Sequence, residues 1–337
     1  MTDGLIIVGR ILAALGLMLA NGVVLIYMLR KVLGHLHLRL GPMHVGWHGL
    51  AQTLMDVLKL LTKEDVTPRG VDKALFFIAP AAVFVPSLMA YAAIAFSPTW
   101  KITNLDTGLL YTFAVMSLVP IGLLMAGWSS ANKWALLGGM RAAAQQIAYE
   151  VPLLLSVLPI VMVAGTLNLG LIVDAQAGYV LGFIPKWFII WQFPAFLLFL
   201  VAALVELNQT PFDMSEAESE LVAGWASEYS AMKFGLLFLA EFSGLFIISA
   251  LIVTLFLGGW QIPWLPIEWY EPISPIVFVL KTYLVIFFFM WIRGTFPRVR
   301  IDKLMETGWK VLIPASLAWI MVTGVILKGL EAFRGVG

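Results

Sequence analysis

Eight stretches of 18 or more residues run through this chain with scarcely a charge, at roughly 5–29, 74–96, 108–128, 143–164, 186–206, 231–257, 275–293 and 311–328. A helix of about 20 apolar residues, rising about 1.5 Å per residue, matches the roughly 30 Å of hydrocarbon in a bilayer. Lipid offers no partner to a backbone N–H or C=O, so a segment crossing it must close its hydrogen bonds within itself, as a helix does. The expected fold is an all-α integral membrane protein with about eight transmembrane helices, forming a single membrane domain over residues 1–337. Composition points the same way: 61% of residues are hydrophobic and 12% charged, where a soluble domain carries about 25% charged. No internal repeat or low-complexity tract interrupts the pattern. Pro80, Pro86, Pro120, Pro152, Pro159 and Pro194 fall inside the runs and predict local kinks.

A formal net charge of +1 argues against a nucleic-acid partner, which would require a basic face. With no cysteine, the chain has no disulfide, no thiolate zinc site and no iron–sulfur ligation of its own, so any redox centre it serves is expected in another chain. The first apolar run is longer than a cleavable signal and leads straight into a basic segment. Lysine and arginine sort by side. Counting alternate loops from the first gives fifteen on one side, seven of them between Arg30 and Lys73; the opposite loops hold only Lys101, Lys186 and Lys281. The positive-inside rule then predicts both termini outside and the loops rich in basic and acidic residues in the cytoplasm.

The loop from Arg30 to Lys73 carries structure of its own. Leu50, Leu54, Val57, Leu58 and Leu61 fall on one helical face, with Gln52, Asp56, Lys59 and Lys63 largely on the other. This predicts an amphipathic helix lying in the membrane interface, either as a plain anchor or as a doorway where an apolar ligand enters sideways from lipid. His35, His37, His44 and His48 share the loop, but Gly41, Pro42, Gly46 and Gly49 interrupt any helix that would align them on a metal. Solvated or interfacial polar residues are the plainer account, and no metal site is expected.

Acidic residues concentrate between Ala203 and Phe242, where Glu206, Asp213, Glu216, Glu218, Glu220, Glu228 and Glu241 are accompanied by a single basic residue, Lys233. Glu206, Glu241 and, farther upstream, Glu150 lie in or beside apolar runs. An acid at the centre of a membrane helix costs about 2.5–3.5 kcal/mol on insertion scales, so each should face a partner or a wet cavity. A protonated glutamate making a packing hydrogen bond explains one such residue; three of them point towards a proton relay. The loop PFDMSEAESELVAG is a solvated acidic loop on the plain reading and a continuation of that relay on the sharper one. No Walker loop, nucleophile elbow or metalloprotease helix is present, so hydrolytic and nucleotide-binding chemistry find no support.

Four blocks, RLGPMHVGWHGLAQTLMDVLKLLTKED, AGWSSANKWALLGGMRAAAQQIAYE, PFDMSEAESELVAGWASEYSAMKFGLLFLAEF and RGTFPRVRIDKLMETGWKVLIPASL, give the chain a close resemblance to the H-type membrane subunit of NADH:quinone oxidoreductase, respiratory complex I. The resemblance runs from the first span to the last. It implies a subunit of the inner (plasma) membrane that joins the membrane arm to the hydrophilic arm and forms most of a quinone-access chamber. Quinone is then a substrate shared with neighbouring subunits, one of which carries the terminal iron–sulfur cluster, and the chain itself holds no prosthetic group. By position, Glu150, Glu206 and Glu241 match the family's intramembrane acids, and Asp213, Glu216, Glu218, Glu220 and Glu228 its acidic loop. Arg39, Arg293, Arg298 and Arg300 match basic positions around the chamber or the docked arm.

The chain departs from the family's pattern at Leu29, where glutamate is usual; at His37, where glutamine is usual; and at His44, where a basic residue is common. Gln209 stands in place of the usual arginine before PFD, and Ser215 in place of proline. Two other readings accompany the first: the related anchor subunit of a membrane-bound hydrogenase, and a stand-alone proton-coupled transporter. The amphipathic segment and the loop with its Gly-Pro favour the quinone-chamber subunit, and the lack of repeats counts against the transporter.

Overall fold

Asp72, Asn132 and Asn168 each open a helix by accepting hydrogen bonds from backbone N–H groups that the first turn leaves free. The computed structural model describes residues 2–180, 182–215, 218–265 and 271–334, without the side chains of 2–6, 218–219 and 333–334. In chain order the helices are α1 (Thr2–Leu36), α2 (Gln52–Thr62), α3 (Lys73–Tyr91), α4 (Gly108–Met116), α5 (Val119–Ser129), α6 (Lys133–Ala164), α7 (Leu169–Ala175), α8 (Phe188–Trp191), α9 (Phe193–Glu206), α10 (Glu218–Leu221), α11 (Ala231–Phe256), α12 (Ser274–Thr295), α13 (Ile301–Thr307) and α14 (Ile313–Arg334). A π turn at Gly308–Leu312 joins α13 to α14. A short antiparallel pair, β1 (Tyr179–Val180) and β2 (Ile184–Pro185), sets Tyr179 opposite Pro185 in the loop before α8.

The all-α membrane architecture is present. Among the described residues, seven helical segments are long and apolar enough to cross a membrane: Ile7–Leu36, Lys73–Tyr91, Gly108–Ser129, Lys133–Ala164, Ala231–Phe256, Glu271–Thr295 and Ile301–Ala332. The eighth expected span, 186–206, is broken. Its backbone leaves the helix at Gln192 (φ −118°, ψ 36°), and the 14-residue α9 begins at Phe193 with Pro194 in its first turn. Proline has no N–H to give to the carbonyl of Ile190 four residues back, so a continuous helix would lack a bond at the break. The Gln192 side chain is held there, with Oε1 accepting from Trp319 Nε1 at 2.6 Å. Pro120 acts similarly at the start of α5, whereas Pro80, Pro86, Pro152 and Pro159 sit inside α3 and α6.

The fourth span starts earlier than its hydropathy predicts, at Lys133 rather than near 143. Its 32 residues extend about 48 Å, well beyond the apolar thickness of a bilayer. Ala, Leu, Met and Gln are good helix formers whatever their hydropathy, and Asn132 caps the extra turns. A left-handed Gly165 (φ 69°) ends the helix.

Helix α11 is the central post. It contacts α1, α2, α3, α7, α9 and α12, and every residue from Leu245 to Phe256 is buried. Of its most apolar window, 72% is buried, against 22% for α1 and 17% for the last span, so the outer helices turn most of their apolar surface outward. Phe246 of α11 stacks on Tyr91 of α3 at 5.4 Å between ring centres. A second, smaller cluster forms where Phe76 stacks on Tyr229 at 4.3 Å, beside Trp225 and α5.

Helices α5 and α6 meet through glycine. A Cβ on Gly127 would lie 2.5 Å from the Ala135 carbonyl oxygen, and one on Gly139 3.0 Å from the Leu123 carbonyl oxygen. Small residues let membrane helices approach closely enough for dispersion to hold them together, because burial away from lipid contributes little. Gly139→Leu is therefore expected to destabilise the protein by about 1–3 kcal/mol through overpacking. Gly329→Leu, at a position with nothing within 4 Å, is the neutral comparison. Unfolding of the two variants in detergent checks this; equal stability would mean that α5 and α6 are not in tight contact.

Candidate functional site

Helix α9 stops at Glu206, about 21 Å from its start, and the chain turns back inside the protein. The turn needs partners for the carbonyls it exposes, and α6 supplies them. Gln145 Nε2 donates to the carbonyls of Val205 and Phe212, both at 2.8 Å, and Gln146 Nε2 donates to that of Glu206 at 3.2 Å. These adjacent amides hold the bend on which the acids are mounted.

Beside the bend lies a narrow cavity lined by Glu206, Asn208, Gln146 and Trp225 together with Glu241 of α11 and apolar groups of α3, α5 and α11. Glu206 is buried, and its Oε2 has no hydrogen-bond partner among the described residues; the same is true of Gln146 Oε1 and Asn208 Oδ1. Glu241 is held more firmly. Gln209 Nε2 donates to Glu241 Oε1 at 3.0 Å, and Arg293 Nη1 of α12 donates to Gln209 Oε1 at 2.6 Å. Next along the bend, Arg298 Nη2 pairs with Asp213 Oδ2 at 2.8 Å, and Val299 N donates to the Pro211 carbonyl at 3.0 Å. The segment after α12 is thus fastened to the loop after α9.

The structure gathers some of the acids expected from sequence and separates others. Glu206 and Glu241 share the cavity. Glu150, partly buried on α6, lies within electrostatic reach of Glu206, but it does not line the cavity. Asp213 faces Arg298, Glu220 pairs with Arg141 at 2.6 Å, and Glu228 accepts from Asn132 Nδ2 at 2.7 Å. The loop acids therefore look to separate partners on α6, its cap and the segment after α12. Glu216 and the Glu218 side chain lie outside the described residues. Of the basic residues, Arg293 and Arg298 reach the bend, Arg300 pairs with Asp302 at the surface (3.3 Å), and Arg39 is exposed in the loop after α1.

The amphipathic helix forms as α2. Leu50, just before it, and Leu54, Val57, Leu58 and Leu61 are exposed, while Thr53 is buried and Leu60 half-buried against the body. An apolar opening of about 1130 Å³, counting its mouth, runs between α1, α2 and α11, lined by residues such as Val23, Leu54, Leu60 and Phe238. Arg30 of α1 clips α2 in place through Asp56 at 2.5 Å. Burial works to raise the Asp56 carboxyl; the Arg30 hydrogen bond and charge, helped by Gln52 and Lys59, outweigh it and hold the carboxyl below its ordinary value. His35 and His48 line one surface hollow with Tyr27 and Trp47; His35 Nδ1 meets the Lys31 carbonyl at 2.8 Å and His48 lies edge-on to Trp47.

Sequence reasoning passed over Gln145, Gln146, Asn132, Arg141 and the Arg30–Asp56 clip. A pair of glutamines in the otherwise apolar stretch AAAQQIAY was the available signal, since buried amides require partners. Of the departures from the family's pattern, Leu29 is a partly buried side chain packed on the main core, His37 and His44 are exposed, Ser215 is buried, and Gln209 occupies the link between Arg293 and Glu241.

The profile of the family described as NADH dehydrogenase matches residues 9–324. The H subunit of NADH-quinone oxidoreductase from Geobacillus kaustophilus is 48% identical over 302 residues, covering 88% of this chain and 86% of its own. The protein of the same name from Anoxybacillus flavithermus is 50% identical over 299 residues, with the same coverage of 88% and 86%. Its Rhodospirillum rubrum counterpart is 45% identical over 325 residues, 96% of this chain and 94% of its own. With a match across nearly all its membrane segments, the chain belongs to the NADH dehydrogenase family, among the H-type subunits of NADH-quinone oxidoreductase.

Proposed function

We propose that this chain forms the quinone-access chamber of a proton-pumping NADH:quinone oxidoreductase and couples quinone reduction to proton translocation through its buried acids. The observation that carries the reading is the cavity shared by Glu206 and Glu241, tied through Gln209 to Arg293 and, one step along the bend, through Asp213 to Arg298. The two acids share one cavity, and Glu241, fastened through Gln209 to a basic rim, can register a change of charge at that rim.

In this reading the apolar opening between α1, α2 and α11 admits quinone from lipid. The segment of Arg293, Arg298 and Arg300, on the side with the excess of basic residues, faces the cytoplasm and meets the hydrophilic-arm subunit that carries the terminal iron–sulfur cluster. Both termini lie outside. Reduction of quinone in the chamber changes the negative charge beside the bend, and added negative charge favours protonation of a neighbouring carboxyl. Glu241 and Glu206 then take up protons, and Glu150 carries them towards adjoining membrane-arm subunits. Moving one charge fully against 100 mV takes about 2.3 kcal/mol, which a change of about two pH units in proton affinity supplies at roughly 1.36 kcal/mol per unit.

Glu241→Gln keeps size and hydrogen bonding but cannot titrate. The variant complex should assemble in membranes while proton pumping coupled to quinone reduction falls several-fold. Parental rate and pumping ratio at normal assembly would make Glu241 structural and remove the relay. At the opening, a spin label replacing Leu58 should report lipid contact, and one replacing Leu60 protein contact. Because the Asp56 carboxyl is depressed, its hold on Arg30 is complete above the ordinary carboxylate value and is lost only as pH falls through the depressed one. Arg30→Gln, which removes the ion pair, should therefore leave the Leu60 label loose already at neutral pH, without the acid-side step of the parent protein. Identical titrations would show that the clip does not seat α2.

A further inference from the structure

Between Arg293 and Glu241 stands one uncharged side chain. Gln209 is 4% exposed, and both ends of its amide are engaged: Oε1 accepts from Arg293 Nη1 at 2.6 Å, while Nε2 donates to Glu241 Oε1 at 3.0 Å and to the Leu207 carbonyl at 3.3 Å. An amide has one donor end and one acceptor end, so this arrangement has a direction. A guanidinium on the oxygen polarises the amide and strengthens donation from its nitrogen. Direct contact between Arg293 and Glu241 would favour the ionised carboxylate strongly, as an opposite charge within about 4–6 Å does. With the amide interposed, Glu241 has an oriented donor in place of a bonded cation. The other charged groups facing Glu241 are Asp213, paired with Arg298 at 2.8 Å, and Glu206, which lines the same cavity.

We propose that Gln209 is a positioning residue for Glu241. It passes the charge of Arg293 to that carboxyl as a directed hydrogen bond, leaves the carboxyl able to exchange its proton, and thereby sets the pH range in which the cavity works. The proposal rests on the reading of Glu241 as a proton-coupling acid. It concerns what tunes that acid, and it gives the neutral side chain at position 209 a task of its own.

The test uses the intact assembly in membrane vesicles, with three variants: Gln209→Arg, Gln209→Met and Glu241→Gln. Proton pumping per quinone reduced is followed against pH, together with the infrared band of the protonated carboxyl that disappears in Glu241→Gln. Arginine at 209 brings a cation against Glu241 and should move both the pumping profile and the carboxyl band to lower pH by about 1–3 units. Methionine, similar in size but without polar ends, removes the donor while leaving the field of Arg293 in place, and should move both to higher pH. Opposite shifts distinguish positioning from packing, because a purely structural defect lowers activity without moving the profile in two directions. If Gln209→Met fails to accumulate, Gln209→Ala, which also removes the donor, takes its place: a shift to higher pH supports the proposal and an unshifted profile overturns it. If Glu241→Gln loses pumping while both Gln209 variants keep the parental pH midpoint and band, the positioning role is wrong and the coupling reading stands. If Glu241→Gln pumps normally, the coupling reading itself fails.

Discussion

Helix α9 ends among other helices, and the carbonyls it leaves open must be satisfied there. Water is scarce at such a place, and a buried carbonyl without a partner costs about 1–3 kcal/mol. The donors come from the amides of Gln145, Gln146 and Gln209. Irregular backbone at membrane depth is tolerated only where protein surrounds it or where it borders a polar cavity. Here it does both, and the arrangement of the site follows. Glu206 terminates the short helix, Asn208 and Gln209 form the bend, and Asp213 leaves it towards Arg298, so the polar groups converge because one helix stops early.

The basic rim depends on the same bend. Arg293 sits in the last turn of α12 and Arg298 just beyond it, yet both reach the loop that follows α9. Asp213 is buried and Arg298 about a third exposed, so loss of Arg298 would take a charge partner from a buried carboxylate. Arg300, which makes a surface contact with its near neighbour Asp302, carries no such weight. Three arginines close together in sequence thus divide into two that fasten the site and one that faces outward.

Much of this was legible in the residues. Hydropathy located the long spans, because lipid imposes a length and an apolar content that few other environments demand. The stripe of Leu54, Leu58 and Leu61 announced α2, and Glu206 and Glu241 were marked by their apolar neighbours. Three features were hidden. Hydropathy did not show that α9 begins only at Phe193, since Phe188–Trp191 before it is equally apolar and the break rests on Gln192 and Pro194. The early start of α6 was missed because Lys133 and Arg141 look like loop residues to a hydropathy scale, although helix propensity favours them. The loop acids looked like one line of carboxylates; their partners lie far off in sequence, as Arg141 does from Glu220, and no local pattern records such pairings.

The burial of α11 bears on how the molecule is made. Its packing partners lie on both sides of it in the chain: α1, α2 and α3 emerge earlier from the ribosome, and α12 later. Apolar enough to enter the bilayer unaided, it meets no hydrophobic push towards its neighbours once there, because lipid tails are as apolar as leucine. The contacts that α1, α2 and α3 make with α11 can therefore form only after α11 has been made, and those with α12 only later still. Glu241 travels with α11, and the amide that receives it, Gln209, waits at the end of a helix already made. Its Arg293 partner arrives one helix later, so the linked trio is completed from three separate stages of synthesis.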